Sequence, residues 1–380
     1  MVNKIFYWCP FIDNVGTVKA VLNSAQSIAK FDNKYKPIIL NTVGEWDNHK
    51  TDILNRNIDI KNLTESKILS RNNSKGFFSS RLLYFKIILR LIFPLINFLK
   101  EKKENYLILC LITSLPLFLN IFFRKKNIIL RISGLPKFTF FRKLLWRLSL
   151  SKVKYVFCSS TDTKKNLETL FPFYKKKIKL VREPIINVKE ILNKKKENND
   201  LEEKKYFLSI GRLTKQKNYV LLLKLIKNLK HEEINEKKFV IIGEGEEKLS
   251  LLRYIKENNL ENSVKLIGYK KNIFPYLRDC DALISTSLWE DPGFTIIEAG
   301  FCNIPVISSN CPNGPSEILK NGEGGYLFKS NSIKDFQKAF EKLLSDDKDS
   351  LKRKKILTKK MSKEFTIFNH YKDFLKNINE

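Results

Sequence analysis

Short apolar runs alternate along nearly the whole chain with stretches whose apolar residues recur every three or four positions, and few folds accommodate that pattern. Residues 4–11 read as a strand, after which Val18, Val21, Leu22, Ala25, Ile28 and Ala29 repeat at helical spacing. Further strands are expected at 37–42, 106–112, 128–132, 154–159 and 178–181, with a helix at 161–170. After an interruption the alternation restarts. Strands are expected at 206–210, 239–242, 264–267, 282–285 and 305–308, helices at 218–229 and 246–258, and a helical, lysine-rich end. Repeated βα units imply parallel sheets covered by helices. At 380 residues the chain exceeds what one core usually supports, so two domains are expected.

The interruption is residues 193–205, which are polar apart from Leu201 and read as a linker. The expected division is 1–190, a linker at 191–205, a second domain at 206–350, and C-terminal helices at 351–380. Residues 1–11 enter directly as a strand and lack the pattern of a signal peptide. Residues 106–123 carry no charge and are about long enough to span a bilayer, but Thr113, Ser114, Pro116 and Asn120 interrupt them. A buried strand, a turn and a short helix are expected there instead. Cys9, Cys110, Cys158, Cys280, Cys302 and Cys311 include no C-x-x-C pair, which fits buried, reduced thiols of a cytosolic protein.

Ligands of open parallel sheets bind beyond the carboxyl ends of the strands, and four such loops in the second half carry candidate chemistry. Ile210-Gly211-Arg212-Leu213 is followed by Lys215 and Lys217, cations placed to clamp a diphosphate at a helix start, or simply a solvated basic loop. Ile242-Gly243-Glu244-Gly245 is a Gly-rich turn without the third glycine of a dinucleotide fingerprint. Residues 285–299 place Glu290 before a helix opening near Gly293, and Glu298 inside it. A carboxylate there can accept sugar hydroxyls and first-turn amides can donate to phosphate, although a dipole-favoured acid and a surface residue would look the same. Residues 310–318 make another Gly-Pro turn into a helix, with Glu317 in its first turn.

In this order and spacing the four loops resemble the donor domain of retaining glycosyltransferases of family 4, which have the GT-B fold. The resemblance is carried by Gly211-Arg212-Leu213 with Lys217, Gly243-Glu244-Gly245, Glu290 with Glu298 eight residues on, Asn303-Ile304-Pro305-Val306-Ile307, and Gly314 with Glu317. It is strong over 206–328 and weak over the rest. It implies two doubly wound Rossmann-like α/β domains facing a central cleft, with the C-terminal helix returning to the first domain. It implies that Arg212 and Lys217 hold the nucleotide diphosphate and that Glu290 binds hydroxyls of the donor sugar. Gly211 and Gly243 would face the donor, Gly293, Phe294 and Thr295 would contact sugar and phosphate, Glu298 the ribose, and Asn272 and Ile273 the base. Gly16 and Thr17, at the first helix start, would lie on the acceptor side. The family often has Gly-Phe where this chain has Asp291-Pro292, and Pro292 has no N–H to donate. Transfer with retention is implied, the leaving phosphate helping to deprotonate the acceptor, with no cofactor and no metal. Asp279-Cys280-Asp281 looks like a metal-binding pair of acids, but it stands just before a strand rather than after one.

Lys and Arg total 70 against 40 acids, a net +30. Between Arg71 and Lys152 there are seventeen Lys or Arg and only Glu101 and Glu104 as acids. Codon bias would spread such an excess evenly. The same region carries large apolar residues, among them Ile87, Leu91, Phe93, Phe140, Phe141 and Trp146, beside Arg142, Lys143 and Arg147. That mixture suits an interface with anionic lipid, or else a core with solvated basic neighbours. The expected partners are therefore a nucleotide-sugar, a glycan or lipid-linked acceptor of a surface polysaccharide, and the cytoplasmic face of an anionic membrane. A soluble acceptor and a sugar-nucleotide epimerase of similar fold are the enzyme alternatives. Nucleic acid is not expected as a partner, because the basic region lacks a recognition motif and the four loops would be left without a role.

Overall fold

A computed structural model of the chain describes residues 2–9, 16–64, 77–100, 105–109, 114–122, 127–132, 134, 138–202, 205–229 and 238–379. These form two compact units. One runs to Pro184 and takes the chain back from Ile367 onward, and the other is Ile185–Thr366.

The first unit contains β1 (Asn3–Trp8), α1 (Gly16–Phe31), β2 (Tyr35–Asn41), α2 (Lys50–Asn55), β3 (Asp59–Asn62), α3 (Phe77–Lys100), β4 (Tyr106–Leu109), α4 (Ser114–Phe122), β5 (Ile128–Ile132), α5 (Phe140–Lys152), β6 (Tyr155–Cys158), α6 (Thr161–Leu170) and β7 (Ile178–Leu180). The seven strands form one sheet in the order β3-β2-β1-β4-β5-β6-β7, and every pair is parallel. Successive strand residues face opposite sides, so this sheet has two cores. Phe6, Trp8, Leu107 and Leu109 pack with Leu91, Leu95 and Phe98 of α3. Ile5, Tyr7, Ile39 and Ile108 pack with Val21, Leu22 and Ala25 of α1. The uncharged run expected to hold a strand, a turn and a short helix contains β4 and α4; residues 110–113 and 123 lie outside the described residues. No helix among the described residues is long and apolar enough to cross a membrane.

The second unit contains α7 (Val188–Lys194), β8 (Phe207–Ile210), α8 (Tyr219–Asn228), β9 (Phe239–Ile242), α9 (Lys248–Glu257), β10 (Val264–Leu266), α10 (Phe274–Asp279), β11 (Ala282–Ser285), α11 (Phe294–Phe301), β12 (Val306–Ser309), α12 (Pro315–Ile318), β13 (Tyr326–Phe328), α13 (Ile333–Ser345) and α14 (Lys348–Lys363). Its six parallel strands run β10-β9-β8-β11-β12-β13. The order reverses between β8 and β11, which is where a doubly wound sheet opens a crevice at its carboxyl edge.

The run expected to be a linker is instead tied to the second unit. The Arg278 guanidinium donates to the carbonyls of Lys195 (2.8 Å) and Glu197 (3.0 Å), and the Asn199 amide donates to Asp279 (2.8 Å). Asp200 takes Lys270 and the Tyr276 hydroxyl. The change of unit falls at Pro184/Ile185, before that run. The C-terminal helices also divide: α14 stays with the second unit, and α15 (Ile367–Asn379) packs in the first, with Phe374 and Ile378 in its core. His370 of α15 is buried, its Nδ1 donating to the Arg182 carbonyl (2.7 Å) and its Nε2 facing the Ser24 hydroxyl (2.8 Å). Burial pushes its pKa down to about 3, so the ring is neutral at ordinary pH and acts as a tether. Cys9, Cys158, Cys280, Cys302 and Cys311 are buried; Cys110 and His231 lie outside the described residues.

Candidate functional site

The two strands at the reversal of the second sheet each end in a loop carrying charge. After β8, Gly211 donates its N–H to the Ile242 carbonyl (3.0 Å). After β9, Gly243 lies so close that a Cβ on it would stand 1.8 Å from the Gly211 carbonyl oxygen. Arg212 is exposed, with no ion pair among the described residues. Lys217 turns inward at the foot of α8. Its ammonium meets Glu290, which follows β11, at 2.5 Å, with the carboxylate almost fully buried.

The loop after β11 fastens both partners of this pair. The Ser287 hydroxyl donates to the same Glu290 oxygen (2.6 Å), and the Thr286 hydroxyl donates to the Lys217 carbonyl (2.8 Å). Ser309, at the end of β12, donates its hydroxyl to the Ser287 carbonyl (2.5 Å). Glu290 N–H reaches the Pro312 carbonyl (3.2 Å). The pair thus rests on three adjacent strand ends. The nearby Cys311 thiol is pushed up to about 11 by burial, which leaves it protonated and a poor nucleophile at neutral pH.

Gly293 stands before α11 with φ +102, a conformation that favours glycine, and no side chain caps the helix. The amides of Phe294 and Thr295 begin α11, and a helix offers no acceptor to its first-turn amides. They are suited to an anion or a sugar oxygen. Glu298 is buried on α11, not on a surface face. Pro292, which follows Asp291 through a cis peptide bond, precedes Gly293, and its carbonyl lies against Gly314, where a Cβ would come within 1.9 Å.

Asn272 is engaged elsewhere. Its amide donates to the Lys194 carbonyl (2.9 Å) and to Glu197 (2.8 Å), and its carbonyl accepts from the Phe274 N–H (3.1 Å). Ile273 packs partly buried against the unit's core. Gly16 and Thr17 start α1 in the first unit; residues 10–15 of that loop lie outside the described residues. Asp279 is bound by Arg278 (2.7 Å) and Asn199, which makes it a fastening residue. Among the described residues no group of three His, Cys, Asp or Glu side chains is placed to hold a metal ion.

Sequence reasoning missed Thr286, Ser287, Ser309 and Tyr219. A Ser-Thr-Ser run at a strand end was the available signal for two of them. Tyr219 looks like any apolar position of α8.

Of the large apolar residues in the basic region, Ile87, Leu91 and Trp146 belong to the core of the first unit. Others face outward on three successive helices: Leu89 and Phe93 on α3, Phe118 and Phe122 on α4, and Phe140, Phe141, Leu144 and Leu148 on α5. Phe140 and Phe141 are each 79% exposed. Arg90, Arg142, Lys143 and Arg147 are exposed on the same α3 and α5. The side chains of residues 71–86 lie outside the described residues.

Residues 190–361 match the family described as glycosyl transferases group 1. An uncharacterised glycosyltransferase of Methanocaldococcus jannaschii is 37% identical over 173 residues, 43% of this chain and 41% of the relative. The N-acetylgalactosamine-N,N'-diacetylbacillosaminyl-diphospho-undecaprenol 4-alpha-N-acetylgalactosaminyltransferase of Campylobacter jejuni is 33% identical over 190 residues, 49% of this chain and 50% of the relative. The matched part of the chain thus spans half or less of the length of these relatives. A Staphylococcus aureus TarM mutant, solved in complex with fondaparinux, alpha-GlcNAc-glycerol and UDP, is similar in fold over 100% of both chains, with a TM-score of 0.75 at 16% identity.

Proposed function

We propose, from the membership of residues 190–361 in the glycosyl transferases group 1 family and the GT-B fold of the chain, that this protein transfers a sugar with retention from a nucleotide-sugar, UDP-linked, to a lipid-linked glycan acceptor of surface polysaccharide synthesis. The observation that carries the reading is the convergence of Lys217, Glu290 and the start of α11 at the reversal point of the second sheet. Arg212 and Lys217 hold the diphosphate, Glu290 the hydroxyls of the sugar, the amides near Gly293, Phe294 and Thr295 its phosphate side, and Glu298 the ribose. Gly211 and Gly243 keep the floor free of side chains. The bond from the anomeric carbon to the phosphate oxygen breaks as that carbon bonds to the acceptor oxygen on the same face. The acceptor proton passes to the leaving phosphate, whose charge the cations and amides stabilise. UDP is supported by its presence in the TarM complex, and a lipid-linked acceptor by the name of the Campylobacter relative. A panel of nucleotide-sugars tests the donor: one of them should raise the Tm by several degrees, and no shift with any would reject the reading.

No metal takes part in this scheme, because the cations and helix-start amides carry the leaving charge. Activity should therefore survive excess EDTA. Complete loss, restored by Mg²⁺ or Mn²⁺, would reject that part of the scheme.

The outward apolar residues of α3, α4 and α5 dock the protein peripherally on the cytoplasmic face of an anionic membrane, where a lipid-linked acceptor resides. Charge complementarity favours this occupant: each basic residue near an anionic surface contributes about 1 kcal/mol. Co-sedimentation with anionic vesicles should fall as salt rises, leaving a resistant fraction held by the apolar residues. Reversing the charge at Arg90, Arg142, Lys143 and Arg147 should remove most of it. Equal binding to neutral and anionic vesicles would contradict the docking and favour a soluble acceptor.

A further inference from the structure

Beside the Lys217–Glu290 pair stands a polar group with no function in the scheme above. The Tyr219 hydroxyl is buried and has no hydrogen-bond partner among the described residues, while the ring lies in the core beneath α8. A buried hydroxyl without a partner is costly, so its persistence calls for an account. Gly211 fixes its place. A Cβ on that glycine would stand 3.0 Å from the Tyr219 hydroxyl and 3.0 Å from Cε of Lys217, so the phenol and the lysine stem flank one spot. Burial, and after it the charge of Glu290, push the phenol pKa upward, which keeps it a hydrogen-bond donor.

The two named roles of the pair are in conflict. Lys217 cannot neutralise a diphosphate and keep its 2.5 Å contact with Glu290 unchanged, and Glu290 left with Ser287 alone would be an under-partnered buried carboxylate. We infer that Tyr219 is a positioning residue that takes the place of Lys217: when Lys217 turns to the diphosphate, the Tyr219 hydroxyl donates to Glu290 and holds the carboxylate for the sugar. Ser287 stays bonded throughout. The hydroxyl is thus unpartnered in the unliganded protein because its partner is occupied.

This inference rests on the reading of Lys217 as a diphosphate ligand, and its test separates the two. Without ligand, Tyr219→Phe should leave the Tm of the otherwise unchanged protein the same or slightly higher, because it removes an unpartnered group. On a Lys217→Met background, where Glu290 already lacks its ammonium, the same substitution should lower the Tm by about 2–4 °C. Equal effects on the two backgrounds, or a fall in Tm with Lys217 present, would overturn the inference and make Tyr219 an ordinary core residue. In the second arm UDP, GDP and ADP are titrated. The nucleotide bound best by the unaltered protein should bind Tyr219→Phe about tenfold more weakly, the loss of one hydrogen bond to a charged group. Undiminished affinity would overturn the exchange of partners. Failure of the unaltered protein to bind any of the three, with coupling still present in the first arm, would reject the diphosphate reading and leave a hydroxyl that answers Glu290 alone.

Discussion

Replacing Lys217 with Ala is expected to lower kcat/KM by two to three orders of magnitude. On the proposed reading the substitution removes a cation from the leaving diphosphate, and it leaves the buried Glu290 carboxylate with the Ser287 hydroxyl as its remaining side-chain partner. Losing one charged interaction in such a site costs about 3 kcal/mol. Arg212→Ala should act in the same direction without touching stability, since its side chain is exposed and pairs with nothing among the described residues. Glu298→Ala should weaken donor affinity through the ribose. Steady-state kinetics with circular dichroism on each variant separates these effects. A Lys217→Ala protein with near-normal kcat/KM would show that the diphosphate lies elsewhere.

The largest effect on stability is expected from Gly314→Ala. A Cβ there would stand 1.9 Å from the Pro292 oxygen and 2.6 Å from its carbonyl carbon, and backbone cannot yield as a side-chain tip can. The loop carrying Pro292 must shift, and Gly293 and the start of α11 must shift with it. A cost above about 3 kcal/mol is expected, together with loss of nucleotide-sugar binding. Gly322→Ala is the control. Its φ of +97 is unfavourable for alanine, but nothing lies within 4 Å of the added methyl, so about 1 kcal/mol is expected. Urea denaturation of the two variants measures the difference, and equal losses would mean that crowding at Pro292 does not govern this loop.

The fold was legible because each βα unit writes its own period into the chain. Helix α6 falls on residues 161–170 as the spacing predicts, and the strands differ from expectation by a few residues at their ends. The linker misled for a physical reason. Polar side chains at 193–205 look solvated in sequence, but Arg278 and Asn272 reach the backbone of that run, and its own Asn199 reaches Asp279, across some 80 residues. In the candidate site, the loops could be found because glycine and charge at strand ends are local features. The contacts could not, since Lys217 and Glu290 are 73 residues apart and only the sheet order joins them. Nor does the apolar pattern of α3 tell which residues face out: Leu91 is core while Phe93, two positions on, is exposed.

The central claim is retaining transfer from a nucleotide-sugar, and the stereochemistry of one product tests it most directly. The protein is incubated with the donor that raises its Tm most and with a diphospho-undecaprenol-linked sugar, and the new linkage is examined by proton NMR. An α-linked donor should give an α-linked product, at a rate that Lys217→Ala reduces by at least a hundredfold. A β-linked product, an isomerised donor without transfer, or equal rates for the two proteins would contradict the account.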